Sequence, residues 1–300
     1  MKDGKYVPVK VLLYLISIMP FWILYGISDV IYVILYYVVR YRRKIVTKNL
    51  KESCPEYNTY ERKKIERQFY HNFSDYIVET IKIGHISDSQ IKKRMVFNNM
   101  DIVDRLFSEK RSIVAYFSHC GNWEWVTSIT LWSKYQAGKD VEFCQVYRPL
   151  RNKWYDAYML NLRSRFNSRS LKKKSVLRDL LTLRRQQIPC ITGFMSDQKP
   201  SKGDTSHIVN FLNHPSAVIT GTEQVARKLD MAVVYLDMKK VKRGYYEVDI
   251  KLITEDTSLM SEMSITDTYV KLLENTIKRN PAIWLWTHNR WKNKVVMPNE

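Results

Sequence analysis

His119 and Glu124 stand five positions apart in SHCGNWEW, directly after the apolar run SIVAYFS. An imidazole aimed by a carboxylate makes a general base, because fixing the proton on one ring nitrogen leaves the other free to take a proton from a hydroxyl. On one continuous α-helix two such residues sit about 140° apart, so they meet only if His119 lies in a turn and Glu124 in the first helical turn. Gly121 and Asn122 are residue types that a turn and a helix start favour. The chemistry is then deprotonation of an alcohol for attack on an acyl group. A structural histidine at a strand end fits the same spacing. Cys120 offers a rival thiol nucleophile, but neighbours on an extended segment point apart, which opposes a contact between that thiol and His119.

Arg148 follows the strand-like EFCQVY, where its guanidinium fork could grip a phosphate; a surface ion pair is the plainer alternative. Asp197, between Ser196 and Lys199-Pro200, reads on its own as a turn residue. Arg163–Arg169 with Lys172, Lys173, Lys174 and Arg178 forms a basic cluster, extended by Arg184 and Arg185. It suits an acidic carrier protein, the bilayer or plain solvation. Trp123, Trp125, Trp284, Trp286 and Trp291 suit either a membrane interface or the core.

Positioning these residues needs a sheet. Ser112–Ser118 is a continuous apolar run of buried-strand length, and Val141–Val146, Ile188–Phe194, Met231–Met238 and Tyr245–Leu252 are further strand candidates. Helical patterns cover Pro55–Asp88, Met100–Lys110, Trp154–Phe166, Val176–Arg185, Thr220–Leu229 and Thr266–Arg279. The alternation predicts an α/β fold, a mixed and mostly parallel sheet flanked by helices. In such folds sites form at the carboxyl ends of strands, where His119 and Arg148 both fall.

The chain of 300 residues carries a net charge of +19, which suits nucleic acid, anionic lipid or an acidic protein. At 45% apolar it is no disordered chain. The four cysteines (Cys54, Cys120, Cys144, Cys190) have neither zinc-site nor disulfide-framework spacing, so reduced thiols are expected. From Val11 to Val39 the only charge is Asp29, and a spanning helix needs roughly 20 apolar residues. The following RYRRKIVTKNLK predicts a flank that stays cytoplasmic against anionic headgroups. Pro20 and Gly26 interrupt the run, and Lys2, Lys5 and Lys10 make its other flank basic, so an anchor that re-enters the same face also fits. The expected division is a membrane anchor with its basic flank over 1–50 and a catalytic domain over 51–300. A nucleic-acid-binding protein lacks any helix-turn-helix, zinc-finger or RNP-type motif here.

SHCGNWEW resembles the H-x4-D/E block of the glycerolipid acyltransferase superfamily, and more specifically of the bacterial lipid A lauroyl/myristoyl acyltransferases. VYRPLRNKWYDAYMLNLRSRFN (146–167), GFMSDQKPSKG (193–203), FLNHPSAVITGTEQVARKLDMAVV (211–234) and PAIWLWTHNRWK (281–292) resemble that family's later blocks, in order. Ala282 and Asn289 depart from its carboxyl-terminal signature, which puts the acceptor lipid in doubt more than the reaction. The resemblance implies an enzyme on the cytoplasmic face of a bacterial inner membrane. It would move an acyl chain from a thioester, usually on acyl carrier protein, to a hydroxyl of a lipid A precursor, without metal or bound cofactor and without nucleic acid. It implies His119 as general base with Glu124 as orienting partner, Arg148 and Asn152 as an anion pocket, and Asp197 and Gln198 in a supporting polar role. Acylation of a lysophospholipid or an amino-acid lipid is the alternative within that class. A non-catalytic membrane-surface protein lies outside it.

Overall fold

Proline decides the amino terminus. Pro20 has no N–H to give a helix and forces Met19 out of the helical region (ψ 146°), so the apolar run splits. In a computed structural model, which describes residues 6–201, 207–292 and 295–296, α1 (Val7–Ile18) and α2 (Phe21–Val33) flank this break. A π-helical turn, Ile34–Val38, prolongs α2. Lys2, Lys5, Lys202 and Gly203 lie outside the described residues.

The segment Phe21–Val38 is long and apolar enough to cross a membrane. One side of the pair lies on protein, however. Ser28 donates to Asp75 at 2.8 Å, and Lys82 Nζ donates to the carbonyls of Ser17 and Met19 at 2.9 and 2.8 Å. Those carbonyls end α1 and have no helical partners, so an ammonium suits them. The outer sides are apolar and bare, with Leu12 56% and Trp22 76% exposed.

Next come α3 (Arg43–Ser53), α4 (Thr59–Lys82) and α5 (Asp88–Arg94). The basic flank expected as a juxtamembrane stretch is therefore largely helical, and Arg43 pairs with Glu66 at 3.1 Å. A capping box at Asn58 and Glu61 starts α4. The remainder mixes strands and helices: β1 (Met95–Asn98), α6 (Met100–Ser108), β2 (Ile113–Phe117), β3 (Glu142–Tyr147), α7 (Lys153–Arg163), β4 (Arg169–Lys172), α8 (Val176–Arg185) and β5 (Cys190–Met195). A hairpin of β6 (Ile208–Phe211) and β7 (His214–Ala217) precedes α9 (Gly221–Leu229), β8 (Ala232–Lys242), β9 (Tyr245–Thr254) and α10 (Ser264–Arg279).

Seven strands form one sheet in the order β1-β9-β8-β2-β5-β3-β4. Every pairing in it is parallel except β8 with β9. The fold class is thus the expected mixed, mostly parallel sheet flanked by helices. β2 lies between β8 and β5 and is buried along its whole length, which explains its unbroken apolar sequence. β1 and β4 escaped the sequence reading because they are short edge strands. MVFN is brief, and RSLK is mostly polar with one buried side chain.

Candidate active site

β2 ends at Phe117 and β5 at Met195, and these two residues are partners in the parallel register. The chain therefore reaches His119 and Asp197 at the same level, each two residues beyond the pair. His119 Nδ1 lies 2.7 Å from Asp197 Oδ1, and the His119 backbone N–H donates to Oδ2 at 3.0 Å. Trp284 Nε1 donates to the same Oδ2 at 2.9 Å. Burial pushes the Asp197 carboxyl up, but the neighbouring His119 ring and these hydrogen bonds outweigh it and hold it at about 2. An ionised carboxylate keeps the ring proton on Nδ1 and leaves Nε2 as the acceptor. Gln198 Nε2 lies 3.3 Å from that nitrogen.

Glu124 does not take the place expected for it. Both its oxygens are held by Arg163, Nε at 2.8 Å and Nη2 at 2.7 Å, and the pair is largely buried. The reason lies in the turn. Gly121 adopts φ +57°, and its amide donates to the Ile283 carbonyl. Asn122 Oδ1 accepts from the Trp125 amide and opens the 3-10 segment Trp125–Leu131, with Glu124 just before it. Asp197, read from sequence as a turn or supporting residue, is the carboxylate that touches the imidazole.

The loop is anchored from several sides. Leu285 N–H donates to the His119 carbonyl at 3.1 Å, so the Trp-rich 281–286 segment lies along the loop. Asn122 Nδ2 donates at 2.9 Å to Glu79 on α4, a carboxyl that burial pushes up. The same carboxylate accepts from Tyr25 of α2 and Tyr246 of β9. Trp125, Trp284 and Trp286 are buried, so the core takes these three rather than the interface.

His119 opens onto a cavity of about 490 Å³, within the range of small-molecule sites. Its depth is apolar. Ala115 and Phe117 of β2, Ile191 and Gly193 of β5, and Phe143 of β3 line it with Ile129. Ala115 and Gly193 are register partners, and Gly193 lacks the Cβ that would sit 2.9 Å from Phe117 Cε1. Arg148, Lys173 and Lys199 stand among its wall residues, as do Glu124 and Gln198. Asn152 is not among them. It caps α7, its Oδ1 accepting from the amides of Trp154 and Tyr155, and its Nδ2 donates to Tyr6. Cys120 is fully buried, and burial pushes its thiol up, the opposite of what a nucleophile needs. The other three cysteines are also free and buried.

An imidazole ordered by an ionised carboxylate, at the rim of an apolar cavity with cations beside it, suits acyl transfer to a hydroxyl. Comparison with known proteins agrees. Residues 6–293 match the family described as bacterial lipid A biosynthesis acyltransferase. The chain is 22% identical over 260 residues to the lipid A biosynthesis palmitoleoyltransferase of Escherichia coli (strain K12), covering 85% of this chain and 80% of that one. A lipid A biosynthesis acyltransferase of Shigella flexneri is 22% identical over the same length. To the lipid A biosynthesis lauroyltransferase of Escherichia coli (strain K12) the identity is 22% over 284 residues, 94% of this chain and 89% of that one. With a match that runs from the amino-terminal helices to the last tryptophan, this chain belongs to the bacterial lipid A biosynthesis acyltransferase family and is an acyltransferase.

Proposed function

We propose that this protein is a membrane-bound O-acyltransferase that moves a fatty acyl chain from a thioester, carried on acyl carrier protein, to a hydroxyl of a lipid A precursor. The observation that carries the reading is the Asp197–His119 pair at the rim of the apolar cavity. His119 Nε2 takes the proton of the acceptor hydroxyl, and the freed oxygen attacks the thioester carbonyl carbon. The tetrahedral adduct collapses, the C–S bond breaks, and the leaving thiolate recovers the proton from His119. Gln198, whose amide already neighbours Nε2, is placed to donate to the oxyanion. Glu124 serves by ordering Arg163 at the cavity wall rather than by touching the base. The apolar depth receives the acyl chain.

In this reading residues 1–50 attach the protein to the bacterial inner membrane, and 51–300 form the acyltransferase domain on its cytoplasmic face. The exposed apolar sides of α1 and α2 and the positive charge of the chain support that placement. The test is acyl transfer from an acyl carrier protein thioester to a lipid A precursor, with lipid mass spectrometry of cells with and without the protein. His119→Ala should abolish transfer while leaving the folded protein on the membrane. Retained activity in that variant defeats the assignment, and loss of an acyl group from another lipid class redirects it to a lysophospholipid or amino-acid lipid acceptor.

A further inference from the structure

Asp75, Glu79 and Lys82 fall at i, i+4 and i+7 of α4, on one face of that helix, and all three are buried. The apolar α2 presents Tyr25, Ser28, Asp29 and Tyr32, spaced i, i+3, i+4 and i+7. The two faces meet: Ser28 donates to Asp75, and the Tyr25 hydroxyl donates to Glu79 Oε1 at 3.1 Å. A carboxyl buried beneath an apolar helix is costly unless donors reach its oxygens. Asp75 and Lys82 use their bonds to seat α1, α2 and the β8–β9 hairpin, through Ser28, Lys240 and Arg243 on one side and the α1 end on the other.

Glu79, between them, reaches further. Its Oε2 accepts from Asn122 Nδ2 and from the Tyr246 hydroxyl, each at 2.9 Å, and its backbone carbonyl accepts from Trp125 Nε1 at 2.9 Å. Asn122 and Trp125 stand three and six residues after His119, and both are fully buried. Asn122 is held at both ends, because its Oδ1 accepts from the Trp125 amide at 3.2 Å. Tyr246 also fills the space beside Gly121, where a Cβ would come within 3.1 Å of its ring. From α2, Phe21 meets the Trp125 ring edge-on, with 6.2 Å between centroids. One carboxyl group thus ties α2, α4 and β9 to the turn that carries His119.

We propose that Glu79 is a positioning residue for His119, and that Tyr25 completes it, so that α2 supports this turn as well as forming part of the proposed membrane anchor. The inference rests on the reading of His119 as general base and adds to it the group that fixes where the imidazole stands. Tyr25, Glu79 and Asn122 are not among the residues lining the cavity, so substrates do not bind through them. Their loss therefore acts on the reacting geometry, where a displacement of about 1 Å can cost roughly a hundredfold in rate.

The experiment uses the full-length protein in detergent. Glu79→Leu removes both acceptor oxygens. Glu79→Gln keeps one oxygen for Asn122 and Tyr246 and turns an N–H toward the Tyr25 oxygen. Tyr25→Phe deletes a single hydroxyl. Leu106→Ala, at a buried position on α6 away from the cavity, supplies a loss of stability that leaves the turn alone. Glu79→Leu should lower kcat about 10- to 100-fold with KM within about twofold, and Glu79→Gln should recover most of that loss. Tyr25→Phe should lower kcat about threefold or more and still float with vesicles. Leu106→Ala should unfold at lower temperature with kcat unchanged. Hydrogen exchange of the peptide over 118–125, which needs no turnover, should quicken in Glu79→Leu and Tyr25→Phe and not in Leu106→Ala. If Glu79→Leu does not fold, Asn122→Ala removes the donor from the other side and is read in the same way. Should kcat and exchange in these variants match Leu106→Ala, Glu79 merely holds the core and the proposal is overturned. A Tyr25→Phe protein equal to the wild type in both measurements overturns the part assigned to α2. If the wild type transfers no acyl group while exchange responds as described, the function reading fails and the support of the turn by Glu79 stands.

Discussion

Arg163 closes its Nε and one terminal nitrogen on the two oxygens of Glu124, a bidentate pair that spans the cavity wall between the end of α7 and the turn after His119. The geometry is the parallel fork that makes such pairs strong, and both side chains are mostly withdrawn from water. Breaking it from one side leaves a buried charge alone. Arg163→Met should therefore cost about 3–5 kcal/mol of stability, and Arg163→Met/Glu124→Leu clearly less than the sum of the single changes. Urea unfolding of the four proteins in the cycle checks this, and additive losses would show that the pair is not coupled.

Asp197 gives a pH signature. Its folded-state pKa of about 2 lies below the ordinary aspartate value of 3.8, so its stabilising contribution is present above that ordinary value and is lost as pH falls through about 2. The shift corresponds to about 2 kcal/mol. The stability advantage of the wild type over Asp197→Asn should thus shrink between about pH 4 and pH 2 and hold steady just above that range. Activity at neutral pH should fall by about two to four orders of magnitude in the variant, because the imidazole loses the partner that sets its tautomer. Acid titration followed by circular dichroism, with kcat measured at neutral pH, tests both halves.

Chain length should respond to Gly193. A Cβ there would sit 2.9 Å from Phe117 Cε1, inside the apolar depth of the cavity. Gly193→Ala displaces the Phe117 ring, and Ala115→Leu fills the register partner directly. Both should shift preference toward shorter acyl chains. Competition among thioesters of graded length reads the change in kcat/KM ratio, and an unaltered ratio in Ala115→Leu would place the acyl chain elsewhere.

Membrane attachment should depend on the bare sides of α1 and α2. Trp22 and Leu12 are exposed apolar side chains on different helices of that pair. Trp22→Glu/Leu12→Glu places two carboxylates in the proposed lipid contact and should release much of the protein from vesicles in a flotation assay. Asp29→Asn, by contrast, loosens an ion pair with Arg243 on the protein side and should leave flotation intact.

The sequence by itself determined the central elements and where His119 stands in them. A continuous apolar run of strand length between turn signals suits a strand buried on both faces, and a chain leaving such a strand through Gly121 and Asn122 puts His119 at its carboxyl end. Pro20 likewise announced a break, since it cannot donate within a helix and excludes Met19 from one. Local chemistry is enough for such features, because the cause lies within a few residues. The choice of carboxylate was different. Glu124 was near in sequence, whereas Asp197 is 78 residues away and reaches the imidazole because β2 and β5 pair with Phe117 opposite Met195. Register between distant strands follows from the packing of the whole sheet, so no local pattern could reveal it. The same holds for Arg163, legible only as one member of a basic cluster until α7 brought it to Glu124. It holds also for Arg290, whose hydrogen bonds to the Asp197 and Ala217 carbonyls appear only once the carboxyl-terminal segment folds against the loop after β5.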